Sequence, residues 1–438
     1  MIADDQMGCE LFVLSVVENN ERQTGLFGGE MRFSAQAAET SASNVGNLGE
    51  RYVLCGVSVP GETAWAQSLQ TDRDESTQLA ETLDSLAMDN VPELSVSRAP
   101  LTEQPSVTAL IKFYNVPFGE TLKTTEVVDV VGILDVGYLP VTDWQLNSVE
   151  TQAPLMPCVH VLFAEKSGAQ ALVPPLRIQC APLTIEETRS ALMNYLREAL
   201  DGDVLAAEFL LLALIARIHV RRTGLTVGTL SLNLSNVVEG GHGLAHALAA
   251  LVPALVDQTL RLDVLNDVRA PLFVQNTETG NQAGRLQLES GTCVLVDEVC
   301  MGEGELREHG MRNIRALAAV LQSHTLPYVF PYSEYDMPTD LNVVVLSTGK
   351  SLLPTDIQVP VRPASGKVFK ISNTAPSAEP SLLDAWRLYL LERRSANVTI
   401  PEAVSEHIQA DFVERRKSSS YAQEDLQRCL GIARCVSN

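Results

Sequence analysis

Short apolar runs and polar, Gly-containing breaks alternate along the first half of the chain. Cys9–Val17, with its LFVLSVV core, and Arg51–Val59 read as strands, as do Val107–Tyr114, Glu126–Leu134 and Val159–Phe163. Gly132 stands where a small barrel would bend its strand. These runs predict a β-barrel of oligonucleotide/oligosaccharide-binding (OB) shape, split by an insert and beginning close to the chain start, as if earlier parts of the domain were missing. From about Leu183 the period changes. A helix over Ile185–Leu200 and an apolar helix over Val204–Val220 precede a strand at Thr229–Leu234, a Gly loop and a helix over Leu244–Leu255. Strands are predicted at Leu260–Val264, Thr292–Val299 and Leu341–Leu346, with a helix over Met311–His324, a hairpin over Leu326–Pro338 and an edge strand at Ile357–Val361. Unbroken Val/Leu strands alternating with helices argue for a parallel sheet covered on both faces.

The C-terminal end reads as helical. Thr399–Glu402 is a capping box ahead of a stripe formed by Val404, Ile408 and Phe412, and Ser420–Gln423 opens an amphipathic helix over Asp425–Val436. The organisation expected is an N-terminal β-rich segment (1–70), an acidic flexible linker (71–105), the second part of the OB-like domain (106–182), a parallel α/β domain (183–375) and a small helical lid (376–438). The linker rests on composition: Thr71–Gln104 holds eight acidic and two basic residues with no aromatics. Leu79, Leu83 and Leu86 share one helical face within it, a candidate docking helix.

Composition narrows the chemistry. With 32 basic against 54 acidic residues and a formal charge of −22, the chain has no overall basic field to displace counterions from a phosphate backbone, so a protein partner is favoured over nucleic acid. The eight cysteines form no CxxC pair, which argues for free thiols in a reducing compartment and against a zinc site. The first residues, Met1-Ile2-Ala3-Asp4-Asp5, are acidic where a secretory signal is basic, and the Val204–Val220 run is interrupted by Glu208 and Arg217, so no membrane segment is expected.

One motif carries a catalytic suggestion. Val294-Leu295-Val296-Asp297-Glu298 ends an apolar strand in two carboxylates, the pattern by which P-loop ATPases hold Mg²⁺ and polarise the attacking water. A parallel sheet followed by a helical lid is also the layout of AAA+ ATPases. The remaining parts fail. The loop over residues 235–243 has Gly240, Gly241 and Gly243 but no Lys and no terminal Ser or Thr, and Glu239 opposes phosphate. Ser347 and Thr348 stand at the sensor turn, Pro354 at the arginine-finger position, and Ala422, Gln423, Glu424 and Asp425 where a lid would present a phosphate-sensing Arg. The reading is therefore a degenerate AAA+-like domain without a working P-loop, with Asp297 and Glu298 vestigial, no catalytic residues, no cofactor and no metal. His242 and His246 have the spacing of HExxH but Gly243 replaces its Glu, and Cys158 with His160 reads as core.

Val57–Trp65, Gly202–Phe209, Leu230–Ser235, Val294–Glu298, Leu341–Pro354 and Asp411–Lys417 occur in an order and spacing that resemble the minichromosome maintenance (MCM) complex-binding protein family. The resemblance implies a non-enzymatic nuclear protein that binds MCM helicase subunits. Its implied roles are subunit protection, helicase assembly and release from chromatin during replication, with a link to sister-chromatid cohesion. No direct nucleic-acid or membrane binding is expected. The rival readings are an AAA+ ATPase with an unusual P-loop, recognisable by Mg²⁺-dependent ATP binding, and a DNA-binding replication factor, recognisable by steeply salt-dependent binding to single strands.

Overall fold

The computed structural model describes residues 1–18, 21–27, 48–70, 98–138, 155–222, 225–239, 242–277, 280–363, 369–370, 376–398, 401–418 and 421–437. Most of the acidic segment, with Leu79, Leu83 and Leu86, lies outside them, as do Gly240, Gly241, Thr399 and Ser420. The chain is a mixed α/β protein with several sheets, and it divides into two units. One comprises Met1–Pro60, Thr71–Gly168 and Gln275–Glu289; the other holds Gly61–Gln70, Ala169–Val274 and Ser290–Asn438.

The first unit is built on β1 (Ile2–Val13), the hairpin β2 (Ser15–Glu18) and β3 (Glu21–Thr24), then β4 (Leu48–Val57), β5 (Thr108–Phe113), β6 (Val128–Tyr138) and β7 (Leu155–Lys166). Its five-stranded sheet has the order β1-β4-β5-β7-β6, antiparallel except between β5 and β7. Four of the five strand signals are each one strand, and three of those run longer than their apolar runs because backbone pairing continues through polar residues; Cys9–Val17 is instead split at Leu14, between the end of β1 and the β2–β3 hairpin. At Gly132 the β6–β7 ladder slips by one residue, and a Cβ there would lie 2.4 Å from the His160 carbonyl oxygen, so only Gly admits the approach.

His160 and Cys158 belong to the interior of this unit, as their sequence context implied. The Tyr114 hydroxyl and His160 Nδ1 are 2.8 Å apart, and Cys158 and His160 are both 1% exposed. Burial, then the positive charge of Arg51, holds the His160 imidazole below its ordinary pKa. Arg51 and Lys112, both buried, share Glu10, with Lys112 Nζ 3.2 Å from its carboxylate.

In the second unit, β8 (Val220–Arg222) and β9 (Leu225–Val227) form a small hairpin before β10 (Leu232–Ser235) and β11 (Val237–Glu239). Next in the chain come β12 (Leu255–Thr259) and the hairpin of β13 (Val274–Thr277) and β14 (Gly280–Gln282), whose residues from Gln275 onward are counted with the first unit. Then come β15 (Cys293–Asp297), the hairpin strands β16 (Thr325–Val329) and β17 (Glu334–Pro338), β18 (Asn342–Leu346), β19 (Ile357–Pro360) and β20 (Phe369–Lys370). Five of these make a wholly parallel sheet in the order β12-β15-β18-β10-β19. By position in the chain this runs second, third, fourth, first, fifth. β19 is at the edge, where Pro360 is tolerated.

Helices α1 (Ile185–Ala199), α2 (Val204–Ile215), α3 (His242–Ala249), α4 (Glu308–Gln322) and α5 (Pro380–Ser395) belong to the same unit, with α6 (Glu402–Ser418) and α7 (Gln423–Ser437) closing the chain. Thr184 caps α1 through a reciprocal bond with Glu187, and Asp203 accepts the amides of Leu205 and Ala206 at the start of α2. Apart from Glu208, α2 is apolar on all sides, because it is enclosed from Leu210 to Ile215. Leu210, Leu211 and Ile215 pack into one core with Leu232, Leu295 and Val344 of the sheet and Trp386 and Tyr389 of α5.

Several sequence boundaries need correction. The apolar helix ends at Ile215, before Val220, because the chain turns extended at Ala216 and the His219 amide pairs with Val227 O at 2.9 Å. That crossing needs Gly228, held at φ +114, whose added Cβ would be 2.2 Å from Arg217 O. The first strand of the parallel sheet starts at Leu232, after Thr229, and α3 stops at Ala249 so that Leu255 opens β12. The strand expected at Leu260–Val264 is instead Leu255–Thr259, and Leu262–Leu265 forms a helical turn. Leu255 to Thr259 pair one-for-one with Cys293 to Asp297, and the Leu260 amide then closes on Asp297 O at 2.9 Å. In α6, Val404 is 47% exposed and Ile408 and Phe412 are only half-buried, so the expected buried stripe is not formed among the described residues.

Candidate functional site

The C-terminal ends of parallel strands are where open α/β sheets bind ligands, at the point where connections diverge to opposite sides. Here that point is β10, flanked by β18 and β19. Asp297 is the last residue of β15 and is 8% exposed. Its Oδ1 accepts the Val299 amide at 2.8 Å, and its Oδ2 accepts the Cys300 thiol at 3.1 Å. Burial and this bond to Asp297 push the Cys300 thiol up to about 11. Both carboxylate oxygens thus organise the turn that follows their own strand.

Glu298 is used in a similar way. Its Oε1 accepts the Ser351 hydroxyl at 2.7 Å and its Oε2 the Leu352 amide at 3.2 Å, while its own amide donates to Leu346 O at 3.0 Å. The carboxylate that a hydrolase would aim at a water therefore caps the turn after β18. Ser347, just past the end of β18, is 2% exposed and donates to Asn233 Oδ1 at 2.9 Å. Thr348 is exposed. Gln358 Nε2 of β19 reaches Ser235 Oγ at 3.2 Å. Ser231 meets Asp356, just past Pro354, through three bonds of 2.8 Å.

The segment after β10 does not form an open cradle in its described part. Asn236 turns the backbone at φ 68, and Val237 then buries its side chain completely in the core while its amide donates to Ser347 O at 3.0 Å. Val237–Glu239 continues as a strand paired with Phe369–Lys370. An amide committed to a carbonyl is not offered to phosphate. Gly243 lies in the first turn of α3, and Gly240 and Gly241 are outside the described residues. His246 is exposed on α3; the His242 side chain is not described. At the start of α7, Asp425 accepts the Ala422 amide at 2.9 Å and pairs with Arg428 at 3.2 Å.

Sequence reasoning missed a second polar cluster at the opposite, N-terminal edge of the sheet. Arg394 at the end of α5 donates to Ala216 O and to Asn342 Oδ1 (2.8 Å) and lies 3.3 Å from Asp340. Arg217 donates to Ser395 O and Asn397 Oδ1, and Arg434 of α7 to Arg394 O and Ala396 O. Carbonyls at the C-terminal ends of α2 and α5 thus hold three guanidinium groups, as the helix dipole favours. Burial, then Arg434 and Arg217, drive the neighbouring His219 down to about 4. The signal was scattered over three distant segments, which no local motif joins. No group of three or more metal-ligating side chains converges among the described residues. No described helix is long and apolar enough to cross a membrane.

Residues 70–438 match the sequence profile of the mini-chromosome maintenance replisome factor family. The chain belongs to this family. It is similar to the mini-chromosome maintenance complex-binding protein of Danio rerio, at 31% identity over 376 residues, covering 77% of this chain and 59% of that protein. The Gallus gallus protein of the same description is 31% identical over 377 residues, with the same coverage of each chain. That of Arabidopsis thaliana is 28% identical over 387 residues, 82% of this chain and 63% of the relative. The chain thus matches about three-fifths of the length of these relatives. Two segments that carried the resemblance in the sequence, Val294–Glu298 and Leu341–Pro354, meet at the C-terminal edge of the parallel sheet through the bonds of Glu298 to Ser351 and Leu352.

Proposed function

We propose that this chain is a non-catalytic binding partner of the MCM replicative helicase. It would associate with MCM subunits in the nucleus to regulate their protection, their assembly and their release from chromatin during DNA replication, with a link to sister-chromatid cohesion. The observation that carries the binding role is membership, over residues 70–438, of a family whose relatives are named for binding the MCM complex.

A non-catalytic reading is supported by the site. Asp297 and Glu298 spend their oxygens on Val299, Cys300, Ser351 and Leu352, and the residue 235–243 loop has no Lys. A degenerate AAA+-like domain is supported by the parallel order second-third-fourth-first-fifth, which is the strand order of AAA+ sheets, with the terminal helices α6 and α7 in the place of a lid. An OB-like first unit is supported by the order first-second-third-fifth-fourth, with the third and fifth strands parallel as in a five-stranded Greek-key barrel. On this reading the domains run 1–70 with 106–182 around the acidic linker 71–105, then 183–375 and 376–438. A chain of helicase-like layout without phosphate chemistry would occupy an intersubunit surface and complete no ATP site there.

The test is co-purification of MCM subunits with the tagged full chain from nuclear extract, together with equilibrium binding of Mg·ATP to the purified chain. Recovery of MCM subunits and absence of Mg²⁺-dependent ATP binding support the proposal. Recovery of none would sink it, and tight Mg²⁺-dependent ATP binding abolished by Asp297→Ala would overturn the reading of a dead nucleotide site.

A further inference from the structure

In the first unit the ladder between β6 and β7 sorts their side chains onto two faces. Val128, Val130 and Ala164 pack against the core that holds Ile2, Leu54, Phe113 and Val161. The alternate positions turn away from that core. Asp129 lies opposite Glu165 and Val131 opposite Phe163, and all four are exposed. Val131 is 62% and Phe163 58% exposed, and Ile133, two residues beyond Val131 on the same face, is 44% exposed. The ladder passes from Val131↔Phe163 to Gly132↔Val161, which leaves Leu162 between pairs and 55% exposed. This bulge sets Leu162 beside Phe163 and out of the core, so four apolar side chains gather on one exposed face.

The face is pre-formed. β7 is paired on both sides, with β5 and with β6, and the Gly132 backbone approaches His160 O too closely for a side chain to intervene. A surface held in this way loses little conformational entropy when it is bound.

Its charge selects the occupant. Asp129 and Glu165 border the apolar group on the same face and lie directly opposite each other, an arrangement that destabilises a sheet. Among the described residues neither is in an ion pair, and Lys166, next along β7, is taken by Glu126 at 2.8 Å. A Lys or Arg side chain approaching both carboxylates would relieve their repulsion, whereas a phosphate backbone would be repelled. A second copy meeting this face about a two-fold axis would add two more carboxylates. The segment Thr71–Gln104, with eight acidic and two basic residues, is equally unsuited. What remains complementary is a segment of another protein that combines apolar side chains with Lys or Arg.

We propose that Val131, Ile133, Leu162 and Phe163 form a docking face for such a segment, with Asp129 and Glu165 receiving its basic side chain. Resting on the function proposed above, the partner is an MCM subunit. The experiment measures binding of individually purified MCM subunits to the immobilised full chain, as wild type, Val131→Thr/Phe163→Thr and Asp129→Asn/Glu165→Gln, with circular dichroism to confirm that each folds. The apolar pair is expected to weaken binding at least about tenfold, as truncated anchor residues do. The neutralised pair is expected to raise the urea midpoint of the free chain, because the repulsion is gone, and yet to slow association several-fold at low salt. A purely structural role for the two carboxylates would not move the association rate. Wild-type binding that both folded variants retain would overturn the docking role and leave the proposed function standing. Failure of the wild type to bind any subunit would overturn both. Self-association of the free chain in sedimentation velocity, lost in the apolar variant, would replace the partner with a second copy.

Discussion

The Glu298 carboxylate accepts the Ser351 hydroxyl at 2.7 Å, tying the end of β15 to the turn that follows β18. A bond of this kind to a charged acceptor is worth about 1.5–3 kcal/mol, and a half-buried site recovers part of it through water. Glu298→Ala is expected to lower unfolding stability by about 1–2 kcal/mol in a urea titration. ATP turnover is expected to be indistinguishable from background in both proteins. A Glu298→Ala variant of unchanged stability would show that the capping role is wrong.

Asp297 and Cys300 make a second test. The thiol is pushed up to about 11 by burial and by the bond to Asp297, so little thiolate is present at neutral pH. Asp297→Asn removes the negative charge and should speed alkylation of Cys300 several-fold at pH 8. Peptide mapping after timed iodoacetamide treatment reads this out, with Cys9, which is also exposed, as the internal reference.

Stability should respond to acid through His219. Its folded pKa, about 4, lies below the ordinary imidazole value of 6.5, so the unfolded chain binds the proton first as pH falls. The contribution is complete above about 6.5 and is lost progressively as pH falls toward 4. Burial is the leading cause, followed by Arg434 and Arg217, with Asp340 opposing. His219→Gln should flatten the pH dependence of the urea midpoint between pH 6.5 and 4; an identical slope in the variant would count against it.

Leu295 is fully buried in the middle of β15 and packs in the same core as Val344 and Leu211. Leu295→Ala should cost about 3–4 kcal/mol, the range for deleting a buried Leu side chain into a poorly relaxing cavity. A loss below about 1 kcal/mol would indicate a core able to collapse around the gap.

The sequence by itself determined the elements whose signals are local. The Val/Leu runs at 293–297 and 342–346 are buried strands as read, and α1 starts at Ile185 as read, where the structure shows Thr184 and Glu187 capping it. The parallel character of the sheet follows from such runs alternating with helices. Tertiary structure alone decided the rest. Leu260-Arg-Leu-Asp-Val264 alternates apolar and polar residues whereas Leu255-Val-Asp-Gln-Thr259 does not, and only the register against Cys293–Asp297 selects the second as the strand. The VLVDE motif shows two carboxylates but not their partners, because Ser351 and Leu352 are more than fifty positions away in the chain. The guanidinium cluster of Arg217, Arg394 and Arg434 likewise depends on which segments approach. Periodicity records which face of an element is apolar. Hydrogen bonds and charge pairs between distant segments leave no such local trace, and here they decide what the carboxylates do.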